Sequence, residues 1–319
     1  MSIAEESSPR FIRGLWALTA RELKKWLNDP VMLIMFILQP LIWMALLGKS
    51  MNMNALFSQR GIGSIQLPDL IPVPGNYISP PANGIIYISG KWLSEVLQQA
   101  FSKIGLEVMR GTFGVADYFS YMAVGMISMV VVMTSTFSGV SIVWDRRLGF
   151  LDKVLSTPVP RAAIISAKIL NATLRAIFQA SVILALAYVL GLQLSQTFTL
   201  LNVLGIYAAI FLVSVGFSSI FLAFSLRSTR MERPMQFINL IVMPLQFASN
   251  TFFPINLMPE WLQVIARINP LSYLTDALRQ LTIMQLNPLA LALDLIYLAS
   301  FAIILAAIGI LLSWRYLTE

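Results

Sequence analysis

Between Trp144 and Arg161 the sequence WDRRLGFLDKVLSTPVPR sets Asp145, Arg146, Arg147, Asp152, Lys153 and Arg161 between two long apolar runs. The chain contains no histidine and no cysteine. Imidazole bases, thiolate nucleophiles, disulfides and His or Cys metal sites are therefore excluded together. No carboxylates cluster within the apolar runs, so little is left for an enzyme to work with. Charges gathered this tightly can still present a surface to water or to another protein. Leu148, Leu151 and Leu155 recur at helical spacing with Val154 beside them, and Pro158 and Pro160 end the helix. A short helix over 145–156 that joins two apolar segments can turn a push from outside a membrane into movement of both.

The elements that would hold such a handle follow from composition. The chain of 319 residues is 57% hydrophobic and 12% charged, with a mean hydropathy of +0.76. Several of its apolar runs reach the roughly 20 residues that cross a bilayer. This pattern predicts an all-α integral membrane protein with six spans, at Val31–Leu47, Tyr118–Val143, Ala163–Leu190, Leu200–Leu226, Gln236–Phe253 and Leu289–Trp314. The first run follows about 30 residues of charged sequence, so it reads as a span and not as a cleaved leader. Basic residues set the orientation. Five lie before the first span (Arg10, Arg13, Arg21, Lys24, Lys25), four lie in the charged segment and three in RSTRMER, whereas GLQLSQT between spans three and four has none. Both termini are expected on the cytoplasmic side of a cell membrane. The formal charge of +7 is dispersed through loops, so no nucleic-acid partner is expected.

Two flanking segments are amphipathic. Over residues 10–29, Phe11, Leu15, Leu18, Leu23, Trp26 and Leu27 share one half of a helical wheel and the basic residues share the other, with Glu22 alone on the wrong side. This predicts an interfacial helix in the headgroup plane, with anionic lipid as its surroundings. Residues 48–117 form an external insertion, and in it Trp92, Leu93, Val96, Leu97, Phe101 and Ile104 fall on one helical face.

The charged segment resembles the coupling-helix signature of the ABC transporter permeases of the type-2 exporter family, through Asp145, Arg146, Gly149, Leu151, Asp152, Leu155, Pro158, Val159 and Arg161. Arg147 stands where that family usually has an acid. A second stretch, FFPINLMPEWLQVIARINPLSYLTDALRQL, is similar to the family's segment between spans five and six. It matches through Phe253, Pro254, Pro259, Trp261 and Leu262, then Asn269, Pro270, Leu271, Tyr273, Asp276, Ala277, Leu278 and Arg279. The resemblance implies one permease domain over 1–319 and short re-entrant helices within 254–287, where Asn269, Pro270 and Tyr273 stand. It also implies separate ABC ATPase subunits as partners, and a second permease copy. Asp145, Arg146, Gly149, Phe150 and Asp152 would transmit the ATPase stroke. Prolines 254, 259 and 270 agree with the re-entrant reading, since broken backbone at membrane depth must be buried in protein or line a cavity.

A phosphate-cradling loop needs Gly-x-x-x-x-Gly-Lys-Ser/Thr. Gly48-Lys49-Ser50 has Trp43 where the first glycine belongs, and Gly90-Lys91 is followed by Trp92 in place of the hydroxyl. No cofactor is therefore expected on this chain, and ATP and Mg would sit on the partner ATPase.

Two spans carry polar stripes. Gln236, Asn239, Gln246 and Asn250 share a face of span five with Met243, and Lys168, Asn171, Arg175 and Gln179 share a face of span three. Polar faces in lipid point at protein or water. Each stripe therefore reads either as the wall of a translocation path or as interhelical hydrogen bonding. Gln236, Asn239, Gln246, Asn250 and Arg175 are the candidates for a path. Lys168 is expected to snorkel to the interface, and Asp294 is a candidate partner for Arg175. The sequence as a whole reads as a permease subunit exporting a hydrophobic or lipid-like substrate such as a drug, glycolipid or polymer. An ion-driven secondary transporter, a membrane enzyme and a purely structural subunit are the competing classes.

Overall fold

The computed structural model describes residues 7–49, 67–74, 77, 84–228 and 230–318. Eleven α-helices are found among them. α1 spans Ser7–Leu27 and α2 Pro30–Trp43, the latter continued by a π-helical stretch over Met44–Lys49. After the antiparallel ribbon β1 (Leu70–Pro74) and β2 (Ile85–Ser89), in which Pro72 faces Tyr87, come α3 (Gly90–Phe113) and α4 (Tyr118–Arg147). The short α5 (Phe150–Leu155) leads to α6 (Arg161–Val189) and α7 (Leu200–Leu226). α8 (Glu232–Phe247), α9 (Glu260–Ile268), α10 (Pro270–Thr282) and α11 (Pro288–Thr318) complete the chain.

Four helical stretches are long and apolar enough to cross a membrane, lying in Gly90–Arg147, Arg161–Val189, Leu200–Leu226 and Pro288–Ser313. The other two expected spans form shorter helices, one with its apolar part at Leu33–Gly48. The second is α8, which stops at Phe247 three residues after Pro244. The ribbon was not foreseen, because its β1 strand LIPVP carries two prolines and its side-chain pattern is too short to register as alternation.

α4 is the central post. Its side chains Met122, Met126, Val131 and Val132 are buried with Ile183 of α6, Ile210 and Val213 of α7, and Leu274 of α10. Hydroxyl and amide groups supply the cross-links that packing alone would leave unspecified. Ser135 donates to Ser214 across α4 and α7 at 3.0 Å, Thr134 donates to Gln179 across α4 and α6, and Asn202 of α7 donates to the Leu281 carbonyl at 3.0 Å. α7 also packs along α11, and α1 lies against α6. Among its described contacts α3 meets only β2 and the start of α4 closely. Trp92, Val96 and Ile104 of its apolar face are accordingly exposed.

Candidate functional site

The charged segment is split in two. Asp145, Arg146 and Arg147 belong to the last turn of α4, so the helix expected over 145–156 begins only at Phe150. The break is at Gly149, whose φ of +67° lies in the left-handed region that side-chain-bearing residues disfavour. The chain turns there and α5 follows. Leu151 and Val154 are buried there among Ile142, Val143, Ile164, Ile165, Leu222 and Leu226. Asp152 and Lys153 face outward, and Leu148, expected in the buried stripe, is 66% exposed. Phe150 lies beneath the guanidinium of Arg21, 3.4 Å from the ring centre. That contact ties α5 to α1.

Asp145 and Arg146 do not belong to the outer surface expected of them. Asp145 is 3% exposed. It receives a hydrogen bond from Lys168 Nζ of α6. The same Nζ lies 3.0 Å from Glu22 Oε1 of α1 and donates to Ser141 Oγ at 3.2 Å. One ammonium thus holds two carboxylates from two other helices. This overturns the expectation that Lys168 snorkels to the interface. A charge this buried is tolerated only when paired and hydrogen-bonded, and α1 seals the exit that snorkelling would use. It also explains Glu22, whose place on the apolar half of the α1 wheel is the side that meets α6. Arg146 Nη1 donates to the Leu226 carbonyl at 2.7 Å and satisfies an end of α7.

The polar stripe of α6 continues this joint. Arg175, 7% exposed, stands over the ring of Trp26 at 5.3 Å, and Trp26 meets Phe178 edge to face at 5.5 Å. Asp294 is not its partner and instead accepts from Gln280 Nε2 at 2.9 Å. Lys168 and Arg175 therefore face α1, and Gln179 faces α4.

The stripe of α8 divides. Gln236 and Asn239 are exposed, whereas Gln246 and Asn250 are buried. Helical periodicity fails to carry the face through, because Pro244 cannot donate a backbone hydrogen bond and α8 ends three residues later. Asn250 Nδ2 donates to Asp276 Oδ1 at 2.5 Å. The carbonyls freed by the break are collected by Arg279, which is 1% exposed. Its Nη1 donates to Asn250 O at 2.9 Å, and its Nη2 to Thr251 O at 2.9 Å and Tyr121 O at 3.1 Å. The guanidinium stacks on the Tyr121 ring, 3.3 Å from its centre, and the Tyr121 hydroxyl donates to Asn250 O at 3.1 Å. α4 can come this near the turn because Gly125 has no side chain, and a Cβ there would collide with the Thr251 carbonyl.

The re-entrant candidates serve the same break. Asn269 Nδ2 donates to Leu245 O and Ala248 O, both at 2.7 Å, while its Oδ1 accepts from Leu271 N at 2.9 Å and caps α10. Pro270 follows at the first helical position. The Tyr273 hydroxyl donates to Arg267 O at 2.7 Å, its ring stacked on Tyr297 at 3.8 Å. Sequence reasoning had Arg279 and Asp276 only as motif positions and did not assign them this role.

A bundle of membrane-length helices closed at one end by an amphipathic entry helix and a short charged connector, and at the other by proline-broken helices, has the build of a polytopic membrane domain. Residues 13–283 match the family model of the ABC-2 type transporter, and the chain belongs to that family. It is 30% identical over 165 residues, 51% of this chain and 55% of the other, to ycf38 of Porphyra purpurea, a protein named as a transport permease. It is 27% identical over 165 residues to the daunorubicin resistance ABC transporter permease protein DrrB1 of Streptomyces coeruleorubidus, covering 52% of this chain and 58% of that one. Nodulation protein J of Rhizobium leguminosarum bv. trifolii is 26% identical over 177 residues, 55% of this chain and 66% of that one. The chain spans about half the length of the first two of these relatives.

Proposed function

We propose that this chain is the permease subunit of an ATP-driven exporter, placed in the cell membrane with both termini on the cytoplasmic side. In this reading α2 with its π-helical extension and α8 with the residues after it complete six crossings. At 1.5 Å per residue the 20 residues of Pro30–Lys49 reach roughly 30 Å, the thickness of the hydrocarbon core. A separate ABC ATPase carries ATP and Mg and docks on α5 through Asp152 and its exposed neighbours. A second copy of the chain, or a close relative, faces the open side of α8, and the substrate passes along that side past Gln236 and Asn239. The substrate is hydrophobic or lipid-like. The name of DrrB1, which ties that relative to daunorubicin resistance, supports this class.

The observation that carries the reading is the construction of α5. It is anchored from beneath by Leu151 and Val154 against residues of α4, α6 and α7, and from the side by Arg21 of α1, yet it keeps a charged outer face. Force applied to that face reaches four helices. For ATP to drive transport, the ATP-bound ATPase must contact one arrangement of this joint better than another.

The test is copurification with the ATPase encoded beside this chain, followed by ATP turnover in lipid. Wild type is expected to form the complex and to show lipid-dependent turnover. Gly149→Pro and, separately, the outward-facing Asp152→Arg are expected to lose association or lipid-dependent turnover while the chain remains folded by circular dichroism. Unchanged association and turnover in both variants would overturn the assignment of α5.

A further inference from the structure

A cleft of about 590 Å³ opens beside the α4–α5 turn, lined by Arg147, Arg230, Met231, Glu232, Arg233 and Gln236. Three guanidiniums face one carboxylate across it. None of these arginines takes part in the ion pairs found among the described residues. All three are exposed. With Glu232 counted against them the three guanidiniums still leave the cleft net positive, and guanidinium groups suit phosphate oxygens in particular.

Two features fix what kind of anion fits. The first is height. The cleft lies where α4 ends at Arg147 and where α7 ends at Leu226, and the Arg146 bond to the Leu226 carbonyl pins those ends together. Both are membrane-length helices, so their ends stand at the headgroup level. The second is continuity. Gln236, in the wall of the cleft, begins a row on α8 that runs through Leu240, Met243 and Phe247 at helical spacing, these last three being 72%, 59% and 65% exposed. From Gln236 to Phe247 the row measures roughly 16 Å at 1.5 Å per residue, about half the hydrocarbon core, which is the depth of one leaflet.

A basic cleft at the headgroup level leading to an apolar row one leaflet deep matches a single molecule with an anionic head and an acyl tail. We propose that the cleft binds the phosphate headgroup of an anionic amphiphile whose tail lies along the open face of α8. This deepens the path assigned to that face and rests on that reading only for transport. Binding itself needs no ATPase, so the two can fail separately.

The experiment uses the full chain, purified without any ATPase and placed in bilayer discs of phosphatidylcholine containing a minor fraction of phosphatidylglycerol. Lipids retained on release are counted by native mass spectrometry. Wild type is expected to retain phosphatidylglycerol over phosphatidylcholine. The double variant Arg230→Gln, Arg233→Gln is expected to lose about tenfold in apparent affinity for it, the size of one or two charge-assisted contacts. Leu240→Asn with Met243→Asn is expected to weaken retention through the tail. The double variant Lys153→Gln, Arg161→Gln removes equal charge at the same end outside the cleft and is expected to leave retention intact. Equal loss in that control would make the effect one of general surface charge and overturn the proposal. Absence of any preference for phosphatidylglycerol would do the same. Complete displacement by millimolar inorganic phosphate would make the cleft a site for a soluble anion and would also overturn it. Intact lipid retention alongside a failure to couple to an ATPase would count against the permease reading alone.

Discussion

The two ends of α4 hold buried charge in opposite ways. Near Asp145, one ammonium joins carboxylates from α1 and α4, and every partner is a side chain on a different helix. Near Tyr121, roughly 36 Å away at 1.5 Å per residue, one guanidinium meets backbone carbonyls of α4 and of the turn after α8. Side-chain ion pairs between separate helices make a joint, because rotamers can change while each helix stays whole. Carbonyls cannot leave their guanidinium without rearranging the chain that carries them. The α5 end is thus held by contacts that can rearrange and the α10 end by contacts that cannot.

Removing Arg279 should give the largest effect. Arg279→Ala removes the guanidinium's bonds to the Tyr121, Asn250 and Thr251 carbonyls. Asn250 O keeps the Tyr121 hydroxyl and Tyr121 O lies within α4, so Thr251 O loses most, at roughly 1–3 kcal/mol for a buried group left unpaired. The outcome expected is loss of folded protein on size-exclusion chromatography in detergent. Arg279→Lys, which keeps the charge but lacks the planar fork, should recover it only in part. Were Arg279→Ala to yield a folded chain with a near-native unfolding midpoint, the rigid half of the comparison would be wrong.

At the other end, Lys168→Met leaves the buried Asp145 without its cation and Glu22 with Arg21 alone, 3.0 Å away, and breaking a buried pair costs about 3–5 kcal/mol. Adding Glu22→Gln and Asp145→Asn should restore most of the loss, because no uncompensated charge then remains. A joint can be rebuilt in neutral form in this way, whereas the carbonyls at the α10 end cannot be substituted away. Thermal unfolding of the single and triple variants measures the recovery, and a triple variant no more stable than Lys168→Met would mean the three groups do not act as a unit.

Smaller effects sharpen the same contrast. A Cβ at Gly149 would meet nothing within 4 Å, so Gly149→Ala pays only for its left-handed backbone, about 1–2 kcal/mol. Gly149→Asn should cost less, since asparagine tolerates that region. Equal unfolding midpoints for alanine and asparagine variants would show that backbone conformation is not what the glycine supplies. The smallest change is expected from Phe150→Leu, which removes a partly exposed cation–π contact with Arg21 worth about 0.5–1 kcal/mol. Hydrogen exchange should report it as faster opening of α1 against α5 with little change in the global midpoint.

The sequence by itself determined that the chain is a membrane protein, where most of its long helices lie, and that two segments interrupt them. Hydropathy and proline positions are local properties, and a bilayer reads them without help from the fold. It also flagged Glu22 as misplaced on its wheel, a signal that a cation must wait elsewhere, although nothing local named Lys168. Only the tertiary structure decided that Asp145 faces inward, that Arg175 stacks on Trp26 and leaves Asp294 to Gln280, and that Gln246 and Asn250 are buried while Gln236 and Asn239 stay open. Arg279 went unassigned for the same reason. Its partners are carbonyls, which every residue carries and no sequence distinguishes, and they become a site only when a broken helix and a neighbouring one bring them within reach of the same guanidinium.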